Sequence, residues 1–80
     1  MKVLKFHTPS CGQCSVVSNM LLKAGIDYQD IDCTYEPNDA LVAQYHITHV
    51  PTVIIINDDD TIKRLNNIQE VKQWITHNTL

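Results

Sequence analysis

Two cysteines three positions apart, Cys11-Gly12-Gln13-Cys14, stand where an apolar strand hands over to an amphipathic helix. No other feature of the chain limits its possible folds so strongly. Val3 to His7 is a short apolar-rich run that reads as a strand, and Thr8-Pro9-Ser10 breaks it. Beyond the break, Cys14, Val17 and Leu21 recur at helical spacing, with Val16, Met20 and Ala24 beside them. That spacing predicts a helix over 12–24, and Gly25 stands where a C-terminal glycine is expected. The pair therefore opens a helix. Backbone N–H groups are unpaired there and the dipole favours negative charge, so a thiolate at Cys11 is stabilised. Cys14 lies one turn later on nearly the same face, within reach of the Cys11 sulfur. Disulfide exchange needs this arrangement: one thiolate attacks, a mixed disulfide forms, and the second thiol resolves it.

The rest of the chain continues the pattern. Asp27 to Cys33 alternates weakly and predicts a second strand. Thr34 to Pro37 reads as a loop, and Asn38 as the N-cap of a short helix carrying Ala40, Leu41, Val42, Ala43 and Tyr45. Val50-Pro51-Thr52 leads into Val53 to Asn57, a buried strand by composition. Asp58-Asp59-Asp60 forms a polar hairpin turn, and Thr61 to Leu65 pairs back. Asn67-Ile68-Gln69-Glu70 has a capping-box pattern. Ile68, Val71, Trp74 and Ile75 then give an amphipathic helix. The expected class is α/β in the order β-α-β-α-β-β-α. A parallel crossover comes first, an antiparallel hairpin last, and helices cover both faces of a mixed four-stranded sheet.

Bulk properties exclude several function classes. Eighty residues make one domain, over 1–80, and 44% apolar residues argue against disorder. A net charge of −3 without a Lys/Arg cluster leaves no nucleic-acid footprint. The longest apolar run, Val53 to Ile56, is far too short to span a bilayer. Met1 to Lys5 has no signal-peptide core. The expectation is a cytoplasmic monomer with no membrane or nucleic-acid partner. Structural disulfides are rare in that compartment, and three cysteines leave one unpaired. A Cys-X-X-Cys beside a β-α-β pattern then reads as a redox motif. Other readings stay open: half of a zinc site completed by Cys33 with His46 or His49, an iron–sulfur cluster shared between two chains, an inert pair, or an interaction module without turnover.

Two separated motifs point the same way, the cysteine pair after the first strand and Val50-Pro51-Thr52 before the buried strand. Together with Asp30-Ile31-Asp32-Cys33 and Tyr45-His46-Ile47-Thr48-His49, they give a chain that resembles the thioredoxin-like superfamily over nearly its whole length. It lacks the extra N-terminal β-α unit of full-length thioredoxins, so its length is closer to a glutaredoxin. The resemblance implies a protein-disulfide oxidoreductase with Cys11 as nucleophile and Cys14 as resolving thiol. It implies a cis Pro51, with the Val50 backbone pairing with an extended substrate segment. It implies no cofactor and no metal. Where glutaredoxins carry Gly-Gly before an Asp, this chain has Asn66-Asn67, so a thioredoxin reductase-like donor is favoured over glutathione. Thioredoxins usually read Trp-Cys-Gly-Pro-Cys; here Ser10 and Gln13 replace the Trp and the Pro.

Other positions are singled out as neighbours of the site. His49, two residues before Pro51, borders it, and a protonated His49 would help to hold a thiolate. His7 ends the strand that feeds the pair. Lys5 falls where thioredoxins often hold a buried Asp that handles protons for the resolving thiol. Gln13 and Lys5 are therefore the tuning positions. Strand alternation places Lys5 with Val3 and His7 on one face, either beneath the cysteine helix or snorkelling to solvent along its apolar stem. Cys33 is expected in the core. His46 and His77 are expected as solvated helix residues, Trp74 as core, and the three aspartates as a solvated turn.

Overall fold

The computed structural model describes residues 1–78. Four strands and three helices follow in the order read from the sequence. They are β1 (Lys2–His7), α1 (Gly12–Lys23), β2 (Gln29–Asp32), α2 (Asp39–Gln44), β3 (Thr52–Ile56), β4 (Ile62–Leu65) and α3 (Ile68–Asn78). The sheet order is β2-β1-β3-β4. β1 runs parallel to β2, with Lys5 opposite Asp30, and antiparallel to β3, with Lys5 opposite Val53. β3 and β4 form the antiparallel hairpin.

The two-residue period of β1 builds two cores. Val3 points to one face and packs in a cluster with Val17 and Leu21 of α1, Val53 and Ile55 of β3, and Trp74 of α3. Leu4 and Phe6 point to the other face, joined by Ile31 and Ile54, with Leu41, Val42 and Tyr45 of α2 against them. So α1 and α3 cover one face and α2 the other. Full burial of a side chain such as Leu21 contributes about 1.5–3 kcal/mol relative to exposure.

Helix ends show why the elements stop where they do. At the end of α1, Gly25 adopts φ 70° and donates to the Leu22 carbonyl, while Ile26 N–H reaches Leu21. These two bonds satisfy the last carbonyls as a Schellman cap. The same pair of bonds closes α2, from His46 to Ala43 and from Ile47 to Val42, with His46 at φ 52° in the glycine-favoured region. His46 is thus the residue that turns the chain out of α2, a correction to its expected place within the helix. The Arg64 guanidinium on β4 donates to the Tyr45 and His46 carbonyls as well. At α3, Asn67 Oδ1 accepts from Glu70 N–H at 2.9 Å, as the capping-box pattern predicts. The returning bond is shifted by one residue, because Glu70 Oε1 accepts from Asn66 N–H at 2.9 Å.

Most boundaries move by one or two residues: α1 ends at Lys23 rather than Ala24, β2 starts at Gln29 rather than Asp27, β3 is Thr52–Ile56 rather than 53–57, and β4 starts at Ile62 rather than Thr61. Three differences between β2 and α2 have an identifiable local cause. β2 ends at Asp32, not Cys33, because Asp32 Oδ1 accepts from both the backbone N–H and the hydroxyl of Thr34 and bends the chain. Glu36–Asn38 is a single 3₁₀ turn, not loop, with Pro37 inside it; proline's fixed φ suits a first helical turn. Asn38 precedes α2 without capping it, since its amide donates to the Asp32 carbonyl at 2.9 Å.

Candidate active site

Cys11 is the N-cap residue of α1, with an extended backbone at φ −87° and ψ 103°. Its N–H donates to the Thr8 carbonyl at 3.1 Å, so the Thr8-Pro9-Ser10 break is a turn that delivers Cys11 to the helix start. The Cys11 Sγ accepts from Cys14 N–H at 3.1 Å, the bond a capping side chain makes. Cys11 and Cys14 are disulfide-bonded, with Cα atoms 5.4 Å apart. The two sulfurs differ in access: Cys11 is partly exposed, whereas Cys14 is 3% exposed and faces the sheet with Val17 and Leu21. Gln13 is exposed on the first turn of α1.

A groove of about 290 Å³ opens beside the pair, lined by Lys5, His7, Cys11, Cys14, Ser18 and Asn19 among others. The Lys5 side chain is only 4% exposed and does not snorkel to solvent. Its Nζ donates to Ser18 Oγ of α1, pairs with Asp30 Oδ1 of β2 at 3.1 Å, and lies 5.7 Å from the Tyr28 ring centroid. His7 Nδ1 approaches the same Asp30 oxygen to 2.8 Å without hydrogen-bond geometry, so that buried ring nitrogen lacks a hydrogen-bond partner. Sequence reasoning found Lys5 and His7 but missed Asp30, Ser18 and Tyr28. Ser18 was available to it, four residues after Cys14 on the same helix face. The facing of Lys5 and Asp30 comes from the strand register, which spacing along the chain does not encode.

A second, smaller groove of about 210 Å³ lies next to the first, with Thr8 lining both. Its walls include Cys33, Val42, Ile47, His49 and Val50. The Val50–Pro51 peptide is cis, Pro51 is buried, and Val50 is half-buried. The segment is pinned from both sides. Thr52 Oγ1 donates to the His49 carbonyl at 2.8 Å, and His49 Nε2 lies 2.9 Å from the Asn66 carbonyl. His49 therefore ties the loop before β3 to the end of β4, although its ring is exposed.

The remaining candidates fall elsewhere. Cys33 carries a free thiol, half-buried against the α2 face of the sheet rather than fully in the core. Burial, and then the charge of Asp32, push that thiol above the ordinary cysteine range. His77 and Trp74 line a separate groove between β4 and α3, with Trp74 buried as expected. Asp59 and Thr61 bond within the hairpin turn, where Asp58 to Asp60 are exposed. Among the described residues, no three His, Cys, Asp or Glu side chains form a group able to hold a metal ion.

The comparisons with known proteins agree with this geometry. The family model described as Thioredoxin matches residues 1–77. The chain belongs to the thioredoxin family. It is 34% identical over 58 residues to the SPbeta prophage-derived thioredoxin-like protein YosR of Bacillus subtilis, covering 72% of this chain and 70% of that one. In fold it is similar to thioredoxin 1 of Thermosipho africanus, with a TM-score of 0.69, 24% identity and full coverage of both chains. It is also similar to the glutaredoxin-like NrdH-redoxin of Escherichia coli, with a TM-score of 0.69, 18% identity and coverage of 98% and 95%. Family membership and the Cys-X-X-Cys pair together support a thiol–disulfide oxidoreductase. No helix among the described residues is long and apolar enough to cross a membrane.

Proposed function

We propose that this thioredoxin-family protein reduces disulfides in other proteins, with Cys11 attacking and Cys14 resolving. The observation that carries the assignment of roles is the unequal access of the two sulfurs at one helix start. Cys11 caps α1 and is partly open to solvent, while Cys14 is buried one turn further in. A substrate sulfur can reach the first and not the second. Attack by the Cys11 thiolate forms a Cys11–substrate disulfide and releases one substrate thiol. Cys14 then attacks Cys11, the Cys11–Cys14 bond forms, and the second substrate sulfur leaves. Two electrons pass from the dithiol to the substrate.

The groove lined by Thr8, His49 and Val50 suits an extended polypeptide that lies beside Pro51, with the Val50 backbone pairing with it. Its apolar wall of Val42 and Ile47 fits a polypeptide better than a small charged tripeptide. For the same reason, and because Asn66 and Asn67 serve in the loop and the α3 cap, a thioredoxin reductase-like donor is favoured over glutathione. The protein would act in the cytoplasm as a monomer.

The test is reduction of a protein disulfide such as that of insulin, driven by NADPH with thioredoxin reductase and, separately, with glutathione and its reductase. Turnover is expected with the first system. Cys11→Ser should abolish it, and Cys14→Ser should accumulate a mixed disulfide with the substrate. Retained turnover in Cys11→Ser, or trapping through Cys14 instead, would reverse the assignment.

A further inference from the structure

Lys5 is a buried cation on a sheet face that Val3 and Val17 make largely apolar. Val3 beside it on the same face packs in the core, yet Lys5 takes a place in that layer at 3% exposure. An ammonium is strongly disfavoured away from water unless it is paired and hydrogen-bonded, and Lys5 is held by three side chains at once. Ser18 of α1 accepts its hydrogen bond, Asp30 of β2 pairs with it, and Tyr28, just before β2, presents its ring. Packing alone does not account for this arrangement, because a methionine of similar volume needs none of these partners. The place where the charge is held is informative. Lys5 lines the same groove as Cys14, and Ser18 follows Cys14 by one helical turn.

We propose that Lys5 is a positioning residue for the resolving step: its fixed ammonium, set by Ser18 and Asp30, favours the thiolate of the buried Cys14. This rests on the reading of Cys11 and Cys14 as the redox pair. In the mixed disulfide Cys11 is covalently occupied, so its thiolate is gone and Cys14 must become the nucleophile. A sulfur buried in apolar surroundings resists ionisation. A nearby positive charge offsets that resistance. The Cys14 thiolate then attacks Cys11 Sγ, the Cys11–Cys14 bond forms and the Cys11–substrate bond breaks. The proton lost by Cys14 balances the proton gained by the departing substrate thiolate, so no further acid or base is consumed. Asp30 works in opposition. It orients Lys5 but carries a negative charge into the same cluster, half-exposed and next to His7. The groups around Lys5 are therefore Ser18 from α1, Asp30 from β2, Tyr28, and His7 from its own strand, with Cys14 of α1 lining the same groove.

The opposed charges give a test that packing cannot imitate. The thiol titration of Cys14 is followed by the 13Cβ resonance of the reduced protein in wild type, Lys5→Met and Asp30→Asn. Lys5→Met keeps the apolar stem and removes the cation. It is expected to move the Cys14 titration upward by about one pH unit or more. That leaves about tenfold less thiolate at neutral pH, and resolution of a pre-formed mixed disulfide should slow by a similar factor. Asp30→Asn is expected to move the titration downward. If Lys5→Met does not fold, Asp30→Asn at its half-exposed position still carries the test. An unmoved Cys14 titration, or a shift in the same direction in both variants, would overturn the proposal. Failure of the wild type to reduce any protein disulfide, with the two opposite shifts intact, would instead overturn the substrate reading and leave the charge assignment standing.

Discussion

At the scale of single residues, side chains separated by one helical turn were legible and those joined across the sheet were not. Cys11 and Cys14 are local partners, so their meeting follows from helix geometry alone. Lys5 and Asp30 are adjacent only because β1 and β2 pair in one register, so the sequence showed a lysine on the right face without its carboxylate. His46 was misplaced for a related reason. An apolar periodic run does not reveal which residue must turn left-handed, and glycine is the usual marker. Here a histidine takes that place at φ 52°, exposed to solvent. A side chain with a Cβ is disfavoured in that region by about 1–2 kcal/mol, partly offset by the lower chain entropy of a non-glycine residue when unfolded. His46→Gly should therefore stabilise the protein by about 0.5–1 kcal/mol. The urea midpoint, read with an unchanged slope, checks this. A fall in the midpoint would show that the His46 side chain makes a contribution larger than its backbone strain.

At the scale of elements, type and order were legible because each segment carries a consistent period. Ends were less so, since they depend on single hydrogen bonds. Asp32 and Asp59 illustrate this. Each carboxylate accepts from the backbone N–H and the hydroxyl of a threonine two residues on, Thr34 and Thr61. The first such turn ends β2 early, and the second shapes the hairpin between β3 and β4. Composition predicts a polar turn at 58–60 but not which aspartate accepts. In both cases the threonine's hydroxyl and backbone bonds hold the carboxyl below its usual range. The sign of the pH effect follows. A carboxyl lowered in the folded state contributes stability that is present above its unfolded value, about 4, and lost as pH falls through its folded value. Thr61→Val keeps the strand-favouring shape and removes the hydroxyl bond to Asp59. The difference in unfolding free energy between wild type and Thr61→Val should be constant across neutral pH and shrink as the solution becomes more acid than about pH 4. Thermal unfolding at a series of pH values measures it. A difference that stays constant into strong acid would assign the effect to the bond the Thr61 hydroxyl accepts from Asn57 rather than to the Asp59 bond.

At the scale of the whole molecule, the decisive arrangement is that one strand builds both cores. β1 lies inside the sheet, with β2 on one side and β3 on the other. Its alternate residues supply Val3 to the α1/α3 face and Leu4 and Phe6 to the α2 face. Neither layer is complete without β1, so neither should survive the loss of the other. The margin is small: a chain of this length is stable by roughly 4–12 kcal/mol in total. Truncating one fully buried leucine or phenylalanine costs about 2–5 kcal/mol, which is a large share of that. Leu21→Ala opens the site-bearing face and Phe6→Ala the opposite face. Two probes report on the faces separately. Trp74 fluorescence reads the first, and the ring resonances of Tyr45, 6.2 Å from the Phe6 ring, read the second. If β1 couples the layers, either substitution lowers the urea midpoint of both probes together, by the same amount. The cysteine pair, held between the α1 face and the turn after β1, then loses reductase turnover only as the whole protein unfolds. Were Phe6→Ala to lower the Tyr45 midpoint while Trp74 kept its wild-type transition, the two faces would be independent, and the site would rest on the α1/α3 layer alone.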